Sequence, residues 1–493
     1  MLFSSVTFLY YFLPVVLGIY FLALFISRRS VRAISVCNWI LIAASIAFYI
    51  WGEPVYVLLL IGQTVCGWVC GLLVERGRTR ENRRLMKAAL AGGIIVGLGC
   101  LGFFKYSDFF VANMNALFGA AAPLPEIALP IGISFYTFQI LSYEIDLYDD
   151  KVKVQRSLPA FTTYVALFPQ LVAGPIVRYS QIETALIERK HSASDFHCGV
   201  RRFVFGLAKK VLLANTLGGL VAVCKAAESG DSGSALYTWL YVCAYALHIY
   251  FDFSGYSDMA IGIGRMFGFR FPENFNYPYI SASVTEFWRR WHISMSSWFR
   301  DYVYIRLGGN RVSAPRHLFN ILLVWLLTGF WHGADWNFIL WGLYYALILL
   351  LEKYVLARFL GFNNIKNNNS AAPVALWVLR HVYVIVLFLI GWVFFDAANM
   401  AEAAGRLSMM FGGAARAVSP EALYYLRSYL VPLIVCAIGS TPLPALAAAR
   451  IAGTDKGRTA LAILEPVFVI ALLVVVTACL VDGSFNPFIY FRF

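Results

Sequence analysis

Two histidines stand 40 residues apart in an otherwise oily chain, His292 within Trp288-Arg289-Arg290-Trp291-His292-Ile293-Ser294 and His332 within Gly329-Phe330-Trp331-His332-Gly333. A neutral imidazole can take a proton from an attacking hydroxyl or thiol near pH 7, which is the step that acyl transfer requires. Titratable groups are costly to keep at membrane depth, so their presence there points to function. A lone histidine in such a place is commonly a helix–helix hydrogen-bonder. A pair flanking a polar, glycine-interrupted region is the stronger signal.

The elements around these residues follow from spacing. At 100° per residue Trp288, Trp291, Met295, Trp298 and Phe299 share one face of a helix, with Arg289, Arg290, Ser297, Arg300 and Asp301 on the other and His292 among the aromatics. An amphipathic helix in the membrane interface explains the tryptophans and arginines without any chemistry. It explains a histidine on the buried face less well. His332 divides an apolar run, Leu318 to Leu351, that is too long for one span, so Gly329, Gly333 and Asp335 mark a break between two helical pieces. From Phe251 to Arg311 the chain is neither a clean span nor a plain loop. Polar, Gly/Pro-interrupted backbone of this kind survives at membrane depth only where protein or a water-filled cavity surrounds it. The spacing therefore predicts a cavity-lining region over about 250–335.

The whole chain must be a membrane protein: 493 residues, 60% hydrophobic and 14% charged, with mean hydropathy +0.69. Apolar stretches of about 20 residues, the length that crosses the hydrocarbon, occur at 6–26, 33–51, 55–74, 88–104, 127–146, 203–224, 234–251, 336–351, 375–396, 427–446 and 460–481. The expected fold is all-α, a polytopic single domain over 1–493 with about eleven transmembrane helices. The first stretch has no basic region before it and no small-residue cleavage site after it, so it is expected to remain as a helix. Arg28, Arg29 and Arg32, the cluster from Arg76 to Lys87, and Lys151, Lys153 and Arg156 alternate with neutral or acidic turns. By the positive-inside rule the N-terminus lies outside, and eleven spans place the tail 485–493 outside as well. The net charge of +13 is scattered through short loops, which suits anionic lipid headgroups and not nucleic acid. The nine cysteines lie mostly in apolar helices, Cys66 and Cys70 four apart, with no metal-ligand or redox spacing. No G-x-S-x-G hydrolase motif occurs.

Six ordered blocks carry a family resemblance: Pro130 to Phe138, Phe168 to Pro175, Tyr250 to Asp258, the Trp-Arg-Arg-Trp-His segment, Gly308-Gly309-Asn310-Arg311 and Trp331-His332-Gly333. In order and spacing the chain resembles the membrane-bound O-acyltransferase (MBOAT) family, in its bacterial branch that modifies alginate, peptidoglycan and teichoic acid. The resemblance implies a ring of transmembrane helices, with re-entrant and interfacial helices around a central pore, and a cytoplasmic funnel for the acyl donor. It implies His332 as the family's central catalytic histidine and His292 as its second, more variable polar position. Arg289, Arg290, Asn310 and Arg311 would hold the donor, acetyl-CoA, with no permanently bound cofactor. The acetyl group would cross the bacterial inner membrane and pass, through a separate periplasmic esterase-like acetyltransferase, to a polysaccharide such as peptidoglycan or an alginate-like exopolysaccharide. His248, where glutamine is expected, and Asp335, where asparagine is common, are small departures.

The tail Phe485 to Phe493 reads as an interfacial aromatic anchor. It also resembles the terminal Phe-Ile-Tyr-Phe of bacterial O-acyltransferases, which would make Tyr490 an acyl carrier. A phenol with pKa about 10 needs a neighbouring base to act so. Two readings from other classes stand beside this one: a transporter or flippase for a polysaccharide or lipid-linked precursor, and a non-catalytic export scaffold. Transporters commonly show paired broken helices in repeated halves, whereas only one central broken region is visible here.

Overall fold

A computed structural model of the chain describes residues 1–27, 33–228, 233–360 and 373–483. Among these the regular structure is helical, with one isolated bridge between Ser234 and Arg416. The principal helices are α1 (Phe8–Ser27), α2 (Ala33–Ile50), α3 (Val57–Thr79), α4 (Arg83–Phe118), α5 (Ile133–Tyr148), α6 (Ala193–Ala226), α7 (Ala235–Met266), α8 (Val284–Arg290), α9 (Ile293–Phe299), α10 (Ala314–His332), α11 (Trp336–Leu356), α12 (Val374–Asp396) and α13 (Asp455–Val481). Eight of them, α1 to α4, α6 and α11 to α13, are long and apolar enough to span a membrane; Pro420–Ser428 with Leu430–Gly439, bent by 56°, would make a ninth.

Two stretches expected as ordinary spans differ. The 127–146 stretch yields α5, whose 16 residues are almost all buried inside the protein. The 234–251 stretch extends into the 32-residue α7, which carries the whole Phe251 to Asp258 block as regular helix. Polar texture there marks buried side-chain pairing and not a loop. Asp252 meets Lys210 at 2.6 Å with both side chains 2% exposed, and Asp258 meets Arg202 at 2.8 Å.

Residues 1–207 with 256–273 form one compact unit, and 208–255 with the chain from 274 onward form the other. In the first, Phe3, Phe8, Phe48 and Phe168 pack ring against ring, and Asn82 caps α4 by accepting from the Leu85 amide. The second unit holds every predicted site residue that is described. Its α8 begins at Ser283, whose hydroxyl accepts the Glu286 amide at 3.0 Å. Helices α10 and α11 form a hairpin whose backbones touch: a Cβ at Gly329 would lie 2.3 Å from the Phe338 carbonyl, and one at Gly342 would lie 2.3 Å from the Trp325 carbonyl. Small residues permit that approach. Gly329 is thus a packing residue inside α10, and the break itself falls at Gly333–Asp335, where the Asp335 carboxylate caps the Trp336 amide at 2.6 Å.

Candidate active site

The predicted continuous helix through His292 is two helices. Trp291 is extended and His292 adopts the left-handed conformation, φ 43°, between α8 and α9. The cause is nonlocal. Asn274, from the Phe271–Phe275 segment, accepts through Oδ1 from the Ser294 amide at 3.2 Å and the Ser294 hydroxyl at 2.9 Å, while its carbonyl accepts the Ile293 amide at 2.9 Å. A backbone N–H can only donate, so the atom facing it is the amide oxygen. The His292 Nδ1, 3.1 Å from that same oxygen, therefore carries the proton, and Nε2 keeps the lone pair. Full burial pushes the His292 pKa down to about 3, so the ring is neutral across the physiological range. Phe253 packs edge-on against it at 4.7 Å.

His332 is the last residue of α10 and is buried. Its ring lies among Trp331, Trp341 and Phe395, with centroids at 4.9, 5.1 and 5.2 Å. Trp331 also stands 6.0 Å from the His292 ring, so the two imidazoles flank one indole.

Beside them the second unit encloses a cavity of about 920 Å³. Helix α10 lines it with Ile321, Trp325 and Thr328, and His332 continues that stripe one turn beyond Thr328. Arg289 and Asn310 line it as well, together with Arg300, His317 and Lys353. Arg290 and Arg311 are not in its wall. Arg290 is bound to Glu286 at 2.8 Å and to the Asn276 carbonyl at 3.0 Å. The Gly308-Gly309 turn has positive φ at both glycines, and Asn320 fixes it by donating to the Leu307 and Gly309 carbonyls at 3.1 and 3.2 Å. Tyr490 lies outside the described residues.

Spacing gave no hint of several neighbours. The Glu352 carboxylate accepts from the Val284 and Thr285 amides at 2.5 and 2.9 Å and from the Thr285 hydroxyl at 2.7 Å, so it caps the start of α8 across 67 residues of chain. A carboxylate ending an apolar run was the available signal. At the cavity rim His317 Nε2 is 2.9 Å from Lys353 Nζ and 3.0 Å from the Tyr304 hydroxyl. An ammonium can only donate, so His317 accepts there as neutral imidazole; burial first, and Lys353 second, hold its pKa below the usual histidine range.

The candidate site is thus a buried imidazole at a helix break, beside a cavity with cations in its wall, within a multi-pass helical membrane protein. The family model described as MBOAT, membrane-bound O-acyltransferase family, matches residues 148–395. The chain is 43% identical over 415 residues to a probable alginate O-acetylase of Pseudomonas aeruginosa, covering 83% of this chain and 75% of the relative. It is 32% identical over 439 residues to a peptidoglycan O-acetyltransferase of Helicobacter pylori, covering 84% and 80%. A teichoic acid D-alanyltransferase of Bacillus subtilis aligns over 236 residues at 30%, covering 45% and 59%. The chain belongs to the membrane-bound O-acyltransferase family, and it is an acyltransferase.

Proposed function

We propose that this acyltransferase takes an acetyl group from cytoplasmic acetyl-CoA and passes it across the bacterial inner membrane, through a periplasmic esterase-like acetyltransferase, to a cell-surface polysaccharide, either peptidoglycan or an alginate-like exopolysaccharide. The observation that carries this reading is His332, buried at the end of the α10 stripe that lines the cavity. The names of the alginate and peptidoglycan relatives support O-acetylation of a polysaccharide. Arg289 in the cavity wall and Lys353 at its rim suit the phosphates of a CoA donor. Loop charge assigns the N-terminus to the periplasmic side, and an odd number of spans would place the C-terminus there as well.

In the reaction the acceptor hydroxyl gives its proton to His332 as its oxygen bonds to the thioester carbon; the C–S bond then breaks, and the departing thiolate takes the proton from the imidazolium. The partial negative charge at the C-terminal end of α10 favours that transient cation. His292, its Nδ1–H fixed by Asn274, supplies a second neutral acceptor in a set orientation. Tyr490 is the proposed hydroxyl that receives the acetyl group and hands it to the periplasmic partner. Tyr490→Phe keeps an aromatic anchor and removes the carrier, so acetyl transfer should be lost; full activity would leave direct transfer to the partner as the mechanism.

The test is chemical. Cells with the protein, without it, and with His332→Ala are compared for base-labile acetate on wall and secreted polymer. Acetate should vanish in both deficient strains while the variant still accumulates in the membrane. Full acetate with His332→Ala would instead favour a scaffold or a transporter.

A further inference from the structure

Between the cavity and His332 stands a wall of aromatic rings. Trp288 lines the cavity and packs against Trp325 at 4.8 Å and Trp341 at 5.5 Å, and Trp341 in turn packs edge-on against His332 at 5.1 Å. Apolar packing alone accounts for rings here, but it does not account for their nitrogens. Trp288 Nε1 and Trp341 Nε1 are buried indole N–H groups with no hydrogen-bond partner among the described residues. Trp288 is 5% exposed and Trp341 1%. A buried donor left unsatisfied is costly, so two in one wall, one of them against the His332 ring, point to an acceptor that arrives with the substrate. The Tyr345 hydroxyl, also in this cluster, faces α12, where a Cβ at Gly391 would lie 2.2 Å from it.

An indole N–H donates and cannot accept. In acyl transfer the group that gains negative charge is the carbonyl oxygen of the thioester, and fixed donors in a dry site are the strongest means of stabilising it. We infer that Trp288 and Trp341 are catalytic residues whose indole N–H groups hold the carbonyl oxygen of the acyl donor as it becomes an oxyanion. This rests on the assignment of His332 as the base. The hydroxyl oxygen bonds to the carbonyl carbon, its proton goes to His332, and the carbonyl π pair moves onto the oxygen, which accepts from the indoles. When that pair returns, the C–S bond breaks and the thiolate leaves with the proton from the imidazolium. The same donors satisfy the wall in the bound state and position the carbonyl within reach of the base.

Phenylalanine keeps most of the packing and removes the donor. Trp288→Phe and Trp341→Phe should each lower kcat about 10²-fold while the acetyl-CoA KM stays within about threefold, since the interaction strengthens in the transition state. Unchanged kcat in both variants, with His332→Ala measured alongside and inactive, would overturn the oxyanion role and leave the base assignment standing. If His332→Ala were also active, the base assignment itself would fall. A second measurement needs no variant: the wild-type protein is bound to a CoA analogue in which a methylene replaces the thioester sulfur and the ketone carbon is ¹³C, and the carbonyl stretch is read by isotope-edited infrared spectroscopy. A frequency at or below that of the free analogue in water is expected. The value seen in an apolar solvent would mean that no donor meets the carbonyl, and the inference would fail.

Discussion

His292 and His332 differ in what surrounds them, and the difference was only half legible. The helix break at His332 could be read locally, because Gly333 and Asp335 interrupt an apolar run. The turn at His292 could not, since helical periodicity continues unbroken from Trp288 to Phe299 and the residue that opens it, Asn274, lies 18 positions earlier. The same environment sets an acid response. The folded pKa of about 3 lies below the unfolded value of 6.5, so below that unfolded value the native state binds fewer protons than the unfolded chain. Stability from this residue is therefore complete above pH about 6.5 and lost as pH falls toward 3. Thermal unfolding in detergent should show a steeper acid loss of Tm in the wild type than in His292→Gln between pH 7 and about 4.5; parallel curves would mean that His292 titrates normally. The arginines separate too. Arg289 lines the cavity while Arg290 is engaged by Glu286, so Arg289→Ala should raise the acetyl-CoA KM about tenfold with little change in kcat, a loss of ground-state binding. Arg290→Ala should raise it less. A larger KM effect at Arg290 would reverse the assignment of the donor-facing cation.

At the scale of elements, the α10–α11 hairpin and the start of α8 bring the chemistry together. Gly342 sits where any side chain would drive into the Trp325 carbonyl. Gly342→Ala should therefore force the hairpin apart and destabilise the protein by roughly 1–3 kcal/mol, the usual cost of overpacking, seen as a lower Tm and lower activity together. A variant as stable as wild type would mean that the hairpin has room to shift. Glu352 works differently, through two backbone amides of α8. Glu352→Gln retains the size but not the charge-assisted bonds, and should weaken the fold by about 1–3 kcal/mol. Hydropathy marked most helices well and misjudged α5 and α7 for one reason: it records how apolar a segment is, not whether lipid or protein surrounds it. α5 is enclosed by its own unit, and α7 carries its polar residues to partners that only the folded chain supplies.

For the whole molecule, the family was legible because its blocks lie in order along the sequence, and the 43% identity over 83% of the chain agrees with them. The aromatic wall was not legible, since tryptophans at Trp288, Trp325 and Trp341 read equally well as an interfacial belt until tertiary packing gathers them beside His332. Cavity, wall and histidine are joined by the proposed reaction, release of free thiol from an acyl-CoA with transfer of the acyl group. The most direct measurement follows the free CoA thiol released from acetyl-CoA by the purified protein, supplied with the proposed periplasmic partner and polymer acceptor, for wild type and His332→Ala at matched folding and oligomeric state. Removal of a general base should lower the rate by about 10² to 10⁴. A His332→Ala protein that releases thiol at the wild-type rate would contradict the assignment of His332 as the base.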